Sequence, residues 1–212
     1  MARLTYPKVQ DYLVSLVPRR VPEMAAMERY AARTGFPILG PAAGYYCYQV
    51  ARQIGARSIF ELGSGYGYSA AWLAMAVKEN GGGLVHHTVL DEGLSVRAHR
   101  HFSRMGLDGF IKLHVAEAVE TLRQEPGKFD LVFSDIEKQD YPASLSIIKG
   151  KLRSGGVLII DNMLWSGQIF DRSDRSAATQ GVRRFTEAIT SDTDWIVTLV
   201  PIRDGLIVAY RK

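Results

Sequence analysis

The residues best suited to chemistry sit in two short segments. "FSDIEK" holds Asp135 and, three positions on, Lys138; "IIDNMLW" holds the adjacent pair Asp161 and Asn162. Two carboxylates and an amide make a hard, open set of oxygen donors, suited to Mg²⁺ or a similar divalent ion, with positions left for water and a chelating ligand. Such a cation polarises a hydroxyl and turns it into a nucleophile near neutral pH, and Lys138 is placed to finish the deprotonation. Each residue also has an ordinary role: an Asp at a strand end caps a helix, Asn162 caps a turn, and a lone lysine is a solvated surface group. Their coincidence at one sheet edge favours the chemical reading.

A third segment, "FELGSGYGYSAAW", puts Glu61 ahead of Gly63, Gly65 and Gly67. A dinucleotide fingerprint would need a glycine where Tyr68 stands, and a P-loop would need a lysine there. The turn still brings backbone close to a ligand at the carboxyl end of a strand, where open α/β sheets bind. Glu61 repels a pyrophosphate but favours an ammonium, and S-adenosylmethionine (SAM) carries an ammonium, a sulfonium and no phosphate. Ser69, opening the next helix, is placed to hold that ligand's carboxylate with help from the helix N-terminus. The same residues fit a tight strand-to-helix turn in which Glu61 pairs with a nearby cation, and the motif alone does not choose.

Other candidates carry less. Asp91 ends a strand and reads as a helix cap. His99 and His101 point to different faces of a helix and His86 and His87 to opposite faces of a strand, so the histidines do not compete as a metal site. The single cysteine, Cys47, lies in "YYCYQVA" and reads as a buried, inert thiol.

The elements that position these groups alternate from Arg57 onward. "RSIFEL", "GLVHHTVL", "GFIKLHV", "FDLVFSD" and "GGVLIID" read as strands, most of them nearly continuous in apolar residues, as expected when both sheet faces are covered. "SAAWLAMAVKEN", "EGLSVRAHRHFSRMG", "AEAVETLRQE" and "YPASLSIIKGKLRSG" have helical spacing. The result is a parallel sheet wound with helices on both faces, closed by an antiparallel hairpin from "DWIVTLVPI" and "GLIVAYR". Residues 1–55 lack clear strands and read as helices broken by "PRRVP" and "GFPILGPAAG", packing on the sheet edge and roofing the site. "WSGQIFDRSDRSAATQG" reads as a polar loop lining an acceptor site, with Arg172 and Arg175 able to meet an acidic acceptor.

With 212 residues, the chain fits one α/β domain, 1–212, divided into an N-terminal helical region (1–55) and a core (56–212). It is 47% hydrophobic and 23% charged, and no apolar run approaches the roughly 18 residues of a membrane span. The first 20 residues lack the h-region of an export signal, so a cytoplasmic location is expected. A net charge of +4 with scattered positive residues permits nucleic acid without pointing to it.

Taken together, the segments resemble the metal-dependent O-methyltransferases, the family of catechol and caffeoyl-CoA O-methyltransferases and their small bacterial relatives. The resemblance runs through nearly the whole chain. "ELGSGYGYSA" resembles the methyl-donor motif, "FDLVFSDIEKQDY" the D-x-x-K-x-x-Y segment, "GGVLIIDNMLWSG" the D-N-x-L-W-x-G segment and "PIRDGLIVAYR" the closing hairpin. It implies a Rossmann-like class I methyltransferase fold: seven strands, five parallel and two in the closing antiparallel hairpin. It also implies that Asp135, Asp161 and Asn162 hold the metal and that Lys138 and Asp135 are catalytic, Lys138 as base. Leu39, Glu61, Gly63, Ser69, Glu117 and Asp135 would bind SAM, and a homodimer would be expected.

Three positions depart from the family pattern. Val89 stands where an acid binding the donor's ribose is expected, Glu117 replaces an aspartate and would approach the adenine amine, and Ile207 replaces a glutamate of the animal catechol enzyme. The last departure favours the caffeoyl-CoA and bacterial branch. The leading expectation is therefore methyl transfer from SAM to a hydroxyl of a small catechol-like or hydroxycinnamoyl-type acceptor. A tRNA hydroxyuridine acceptor, or a degenerate binding protein that lost donor affinity through Val89, are the alternatives. An NAD-dependent oxidoreductase is the weakest, because the glycine spacing fails.

Overall fold

The computed structural model describes residues 5–212, so the first four residues of the expected N-terminal helical region lie outside the described residues. Seven strands form one sheet: β1 (Ser58–Leu62), β2 (Leu84–Val89), β3 (Ile111–Val115), β4 (Phe129–Ser134), β5 (Leu152–Ile160), β6 (Trp195–Val200) and β7 (Leu206–Arg211). Their order is β3-β2-β1-β4-β5-β7-β6. The first five are parallel, and β7 runs antiparallel to both β5 and β6, as the short connection from β6 requires. Strand order reverses between β1 and β4, the switch point at which open α/β sheets hold ligands.

Successive residues of the central strands feed opposite faces, which explains their continuous apolar runs. Ile59, Leu131, Phe133, Val157 and Ile159 enter one apolar cluster; Phe60, Leu62, Val132, Leu158 and Ile160 enter the other. The first face is covered by α3 (Pro41–Gln53), α4 (Tyr68–Glu79) and α5 (Glu92–Met105). The second is covered by α6 (Ala118–Gln124), α7 (Tyr141–Lys151) and α8 (Ala177–Ser191). Local chemistry sets several helix ends. Asp91 caps α5 by accepting from Leu94 N at 2.8 Å, and Gly106 ends it in the left-handed region.

The sequence predicts N-terminal helices on the sheet edge; the first reaches the turn that follows edge strand β6, where Gln10 Nε2 donates to Pro201 O at 3.1 Å, and the next two lie on the helical layer of one face. The helices α1 (Tyr6–Ser15) and α2 (Pro22–Thr34) precede α3, which packs along α4. Gly44 allows that approach, because a Cβ there would sit 2.3 Å from the Trp72 ring. Cys47 is buried in the interface cluster, and burial pushes its thiol well up. A second difference concerns the expected polar loop at 165–181. It holds a 3-10 turn, Trp165–Phe170, and its end is already the first turn of α8, capped by Ser176. Val182, Phe185 and Ile189, spaced three and four apart and buried, carry the helical signal that their polar neighbours mask. No helix among the described residues is long and apolar enough to cross a membrane.

Candidate active site

The carboxyl ends of β1 and β4 lie side by side, with Leu62 paired to Ser134, so the next residues on each chain meet. Asp135 N donates to Leu62 O at 2.8 Å. Gly63 has φ +80, and a Cβ there would lie 2.6 Å from Asp135 O, so only glycine lets the two loops touch without strain. Gly67, at φ +90, turns the chain into α4, putting Ser69 in the first turn. Leu39, Ile38, Gly63, Ser69 and Asp135 line one cleft.

Glu61 lies beneath this turn and is fully buried. One carboxylate oxygen is 3.3 Å from His87 Nδ1, and the other has no hydrogen-bond partner among the described residues. Both readings of the motif therefore keep a foothold: Glu61 has a basic neighbour and an oxygen to spare.

The acidic residues converge as the sequence predicts. Asp161 N donates to Ser134 O at 3.1 Å, which draws the end of β5 to that of β4. Burial, and then the neighbouring Asp135 carboxylate, push Asp161 up to about 7, with Arg203 and Lys138 acting in the opposite sense. Its Oδ2 is buried without a partner among the described residues. A partnerless buried carboxylate oxygen beside a second carboxylate leaves a donor position that a hard divalent cation fits. Asn162, with φ +59, donates its side-chain amide to Asp204 Oδ2 at 3.1 Å. That leaves the amide oxygen as the free end.

Lys138 follows Asp135 on a short 3-10 turn and is buried. Its ammonium lies 2.6 Å from Asp135 Oδ1 and 3.2 Å from Ile136 O. The Tyr141 and Trp165 rings flank it at 5.4 and 5.8 Å. Tyr141 also donates to Asp161 O at 3.0 Å, tying the lysine turn to β5.

Comparison with known proteins decides the family: the sequence profile described as O-methyltransferase matches residues 29–212. The chain belongs to the O-methyltransferase family. This O-methyltransferase is 26% identical to a catechol O-methyltransferase of Niastella koreensis over 98% of each chain. Among solved structures it is similar to an O-methyltransferase from Bacillus cereus in complex with SAH, at 26% identity, 97% coverage of each chain and a TM-score of 0.86. It is equally similar to the O-methyltransferase TomG from Streptomyces achromogenes, solved with SAM, at 26% identity, 97% and 96% coverage and a TM-score of 0.85. The seven-stranded methyltransferase fold implied by the motifs is the fold observed.

Two of the expected residues sit differently from the rest. The Glu117 carboxylate accepts from Val119 N and Glu120 N at 2.9 and 2.6 Å, capping α6 outside the cleft lining. Val89 ends β2 buried, while Leu90 beside it is 75% exposed. Other residues of the O-methyltransferase that matter to the site were not picked out from the sequence. Asp204 grips Asn162, and Gly181 lets α8 press on the lysine turn, since a Cβ there would lie 2.1 Å from Lys138 O. Gly181 closes a segment that reads as a polar loop, and only the structure sets it inside α8 as the glycine that permits a close approach.

Proposed function

We propose that this O-methyltransferase moves a methyl group from SAM to a hydroxyl oxygen of a small catechol-like or hydroxycinnamoyl-type acceptor, with a divalent cation such as Mg²⁺ held by Asp135, Asp161 and Asn162. The observation that carries the reading is the partnerless, buried Asp161 oxygen beside the Asp135 carboxylate. When bound, the cation supplies the Lewis acidity that makes an acceptor hydroxyl easier to deprotonate. Lys138 would take that proton at Nζ only as the neutral amine, after its ammonium has left Asp135 and given up a proton to solvent, and the Tyr141 and Trp165 rings flank it there. The glycine turn and Ser69 hold the donor, Leu39 roofs it, and the spare oxygen of buried Glu61 faces its ammonium. Glu117, at the α6 cap, borders the adenine.

The SAH and SAM named with the two solved relatives support the donor, and the catechol enzyme supports the acceptor class. We read residues 1–212 as one catalytic unit, working as a homodimer in a reducing, cytoplasmic setting that suits the single buried thiol. The test is methyl transfer from SAM to catechol, to a hydroxycinnamoyl-CoA ester and to tRNA, each with Mg²⁺ and with chelator. Transfer to a small acceptor that chelator removes and Mg²⁺ restores is expected. Transfer indifferent to chelator overturns the cation, and transfer to tRNA alone overturns the acceptor class.

A further inference from the structure

Alternation along β2 sends His87 to the face of Glu61 and His86 to the other, where it meets groups that spacing along one strand does not reveal. His114, on the neighbouring strand β3, stacks beside it with ring centroids 5.2 Å apart. The chain then returns through α6 and brings Glu125 to the same place. His86 Nδ1 lies 3.1 Å from His114 Nε2; Glu125 Oε2 lies 3.7 Å from His86 Nδ1, and its Oε1 3.8 Å from His114 Nε2. One ligand atom from each of the three falls within 4.8 Å of the others, the single such group of His, Cys, Asp or Glu among the described residues.

We propose that His86, His114 and Glu125 form a second cation site, separate from the catalytic edge, that takes Zn²⁺ or a similar borderline divalent ion with its fourth position open to water. A tetrahedral zinc site with bonds of about 2.0–2.1 Å places neighbouring ligand atoms about 3.3 Å apart. The His86–His114 edge of 3.1 Å is already close to that length, and Glu125 brings one oxygen within 3.7 Å of His86 and the other within 3.8 Å of His114, so a turn of the carboxylate closes the site around an ion. Two imidazoles and one carboxylate select such an ion over Mg²⁺, which prefers an all-oxygen shell.

The surroundings prepare the ligands. The His86 and His114 side chains are only 10% and 12% exposed, so little water competes for their ring nitrogens. The Phe60 ring stacks on His86 at 5.5 Å and fixes its plane. Lys112 Nζ lies 2.7 Å from Glu125 Oε1 and is the cation that an incoming metal displaces. Its side chain is 47% exposed, so it can swing into water. A bound ion would pin the edge strand β3 and the end of α6 to β2, stabilising the fold by mass action.

The test uses the full chain, stripped with chelator, then held in excess Mg²⁺ to fill any all-oxygen site and titrated with Co²⁺ followed by Zn²⁺. We expect one equivalent of Co²⁺ with the intense visible absorption of four-coordinate cobalt, displaced by Zn²⁺, and a melting temperature raised by Zn²⁺. Glu125→Gln and His114→Ala each weaken binding ~10-fold or more. Glu125→Gln keeps the side-chain shape at a helix end and so remains informative if His114→Ala does not fold. Asp161→Asn leaves the cobalt spectrum unchanged. No binding above Mg²⁺, or binding lost in Asp161→Asn and kept in Glu125→Gln, overturns the proposal.

Discussion

The side-chain amide of Asn162 donates to the Asp204 carboxylate at 3.1 Å, joining the end of β5 to the turn of the closing hairpin. Asp204 also accepts from Ser166 N at 2.6 Å, and its backbone oxygen from Leu164 N at 2.7 Å, so the turn is a jig for the whole 161–166 segment. This fixes which end of the amide is free. Asp204→Ala is expected to weaken cation affinity ~10–100-fold, while kcat at saturating Mg²⁺ recovers most of its value. The dependence of initial rate on Mg²⁺ concentration measures it, and an unchanged midpoint would remove Asp204 from any positioning role.

Asp161 makes the opposite trade between stability and function. Its carboxylate is 1% exposed, close to Asp135 and left with a partnerless oxygen. Asp161→Asn removes a buried charge without changing shape, so the metal-free variant should melt several degrees higher than the parent. Adding Mg²⁺ should then raise the parent's melting temperature and leave the variant's unchanged. A variant that melts lower without metal would mean that the carboxylate is satisfied in some other way.

The parts of the site legible in the sequence are those that chain direction alone brings together. Asp135 and Asp161 end adjacent strands, so naming the strands places both carboxylates at one edge. Asp204 and Gly181 act across the fold, from a hairpin turn and from a helix hidden among polar residues, and no local pattern ties them to the site. The His86–His114–Glu125 group fails for the same reason: its members lie on two strands and a helix end, and the β2–β3 register sets His86 opposite Lys112, leaving His114 diagonal to it on the same face. Local periodicity reads elements well and contacts between them poorly.

Val89 tests whether the family's missing acid matters. It ends β2 with its side chain buried, where a carboxylate would gain a charge-assisted hydrogen bond to a donor hydroxyl. Val89→Asp is expected to tighten SAM binding about 10-fold, the lower end of the ~1.5–3 kcal/mol such bonds contribute. Calorimetric titration gives the dissociation constant directly. An unchanged value would mean that another group already holds the ribose.

Asp130 controls acid stability away from the site. Burial alone would raise its carboxyl, but the Arg153 guanidinium at 2.6 Å and the Arg57 and Ser58 N–H groups at 2.8 and 2.9 Å outweigh that and hold it below the usual range. A pKa lower in the folded than in the unfolded state adds stability that is complete above the unfolded value, about 4, and is lost as pH falls through the folded value. Asp130→Asn turns an acceptor into a donor that faces other donors. It should cost about 1–3 kcal/mol at neutral pH and flatten the acid limb of the stability curve. Parallel acid limbs for parent and variant would assign the acid sensitivity elsewhere.

Lys138 can be tested by effects of opposite sign. Its ammonium occupies the Asp135 oxygen that a divalent cation would need, at 2.6 Å, and the Gly181 contact and the Tyr141 and Trp165 rings hold it there. Lys138→Met keeps the apolar stem and removes the charge. If Lys138 is the base, kcat falls ~10²–10⁴-fold. Mg²⁺ affinity should rise, because the competing cation is gone, and donor affinity should stay the same. A lysine that only braces Asp135 would instead show weaker Mg²⁺ binding and a lower melting temperature, with kcat restored at saturating metal. The pairing of a lost kcat with a tighter metal is the result that a purely structural lysine cannot give.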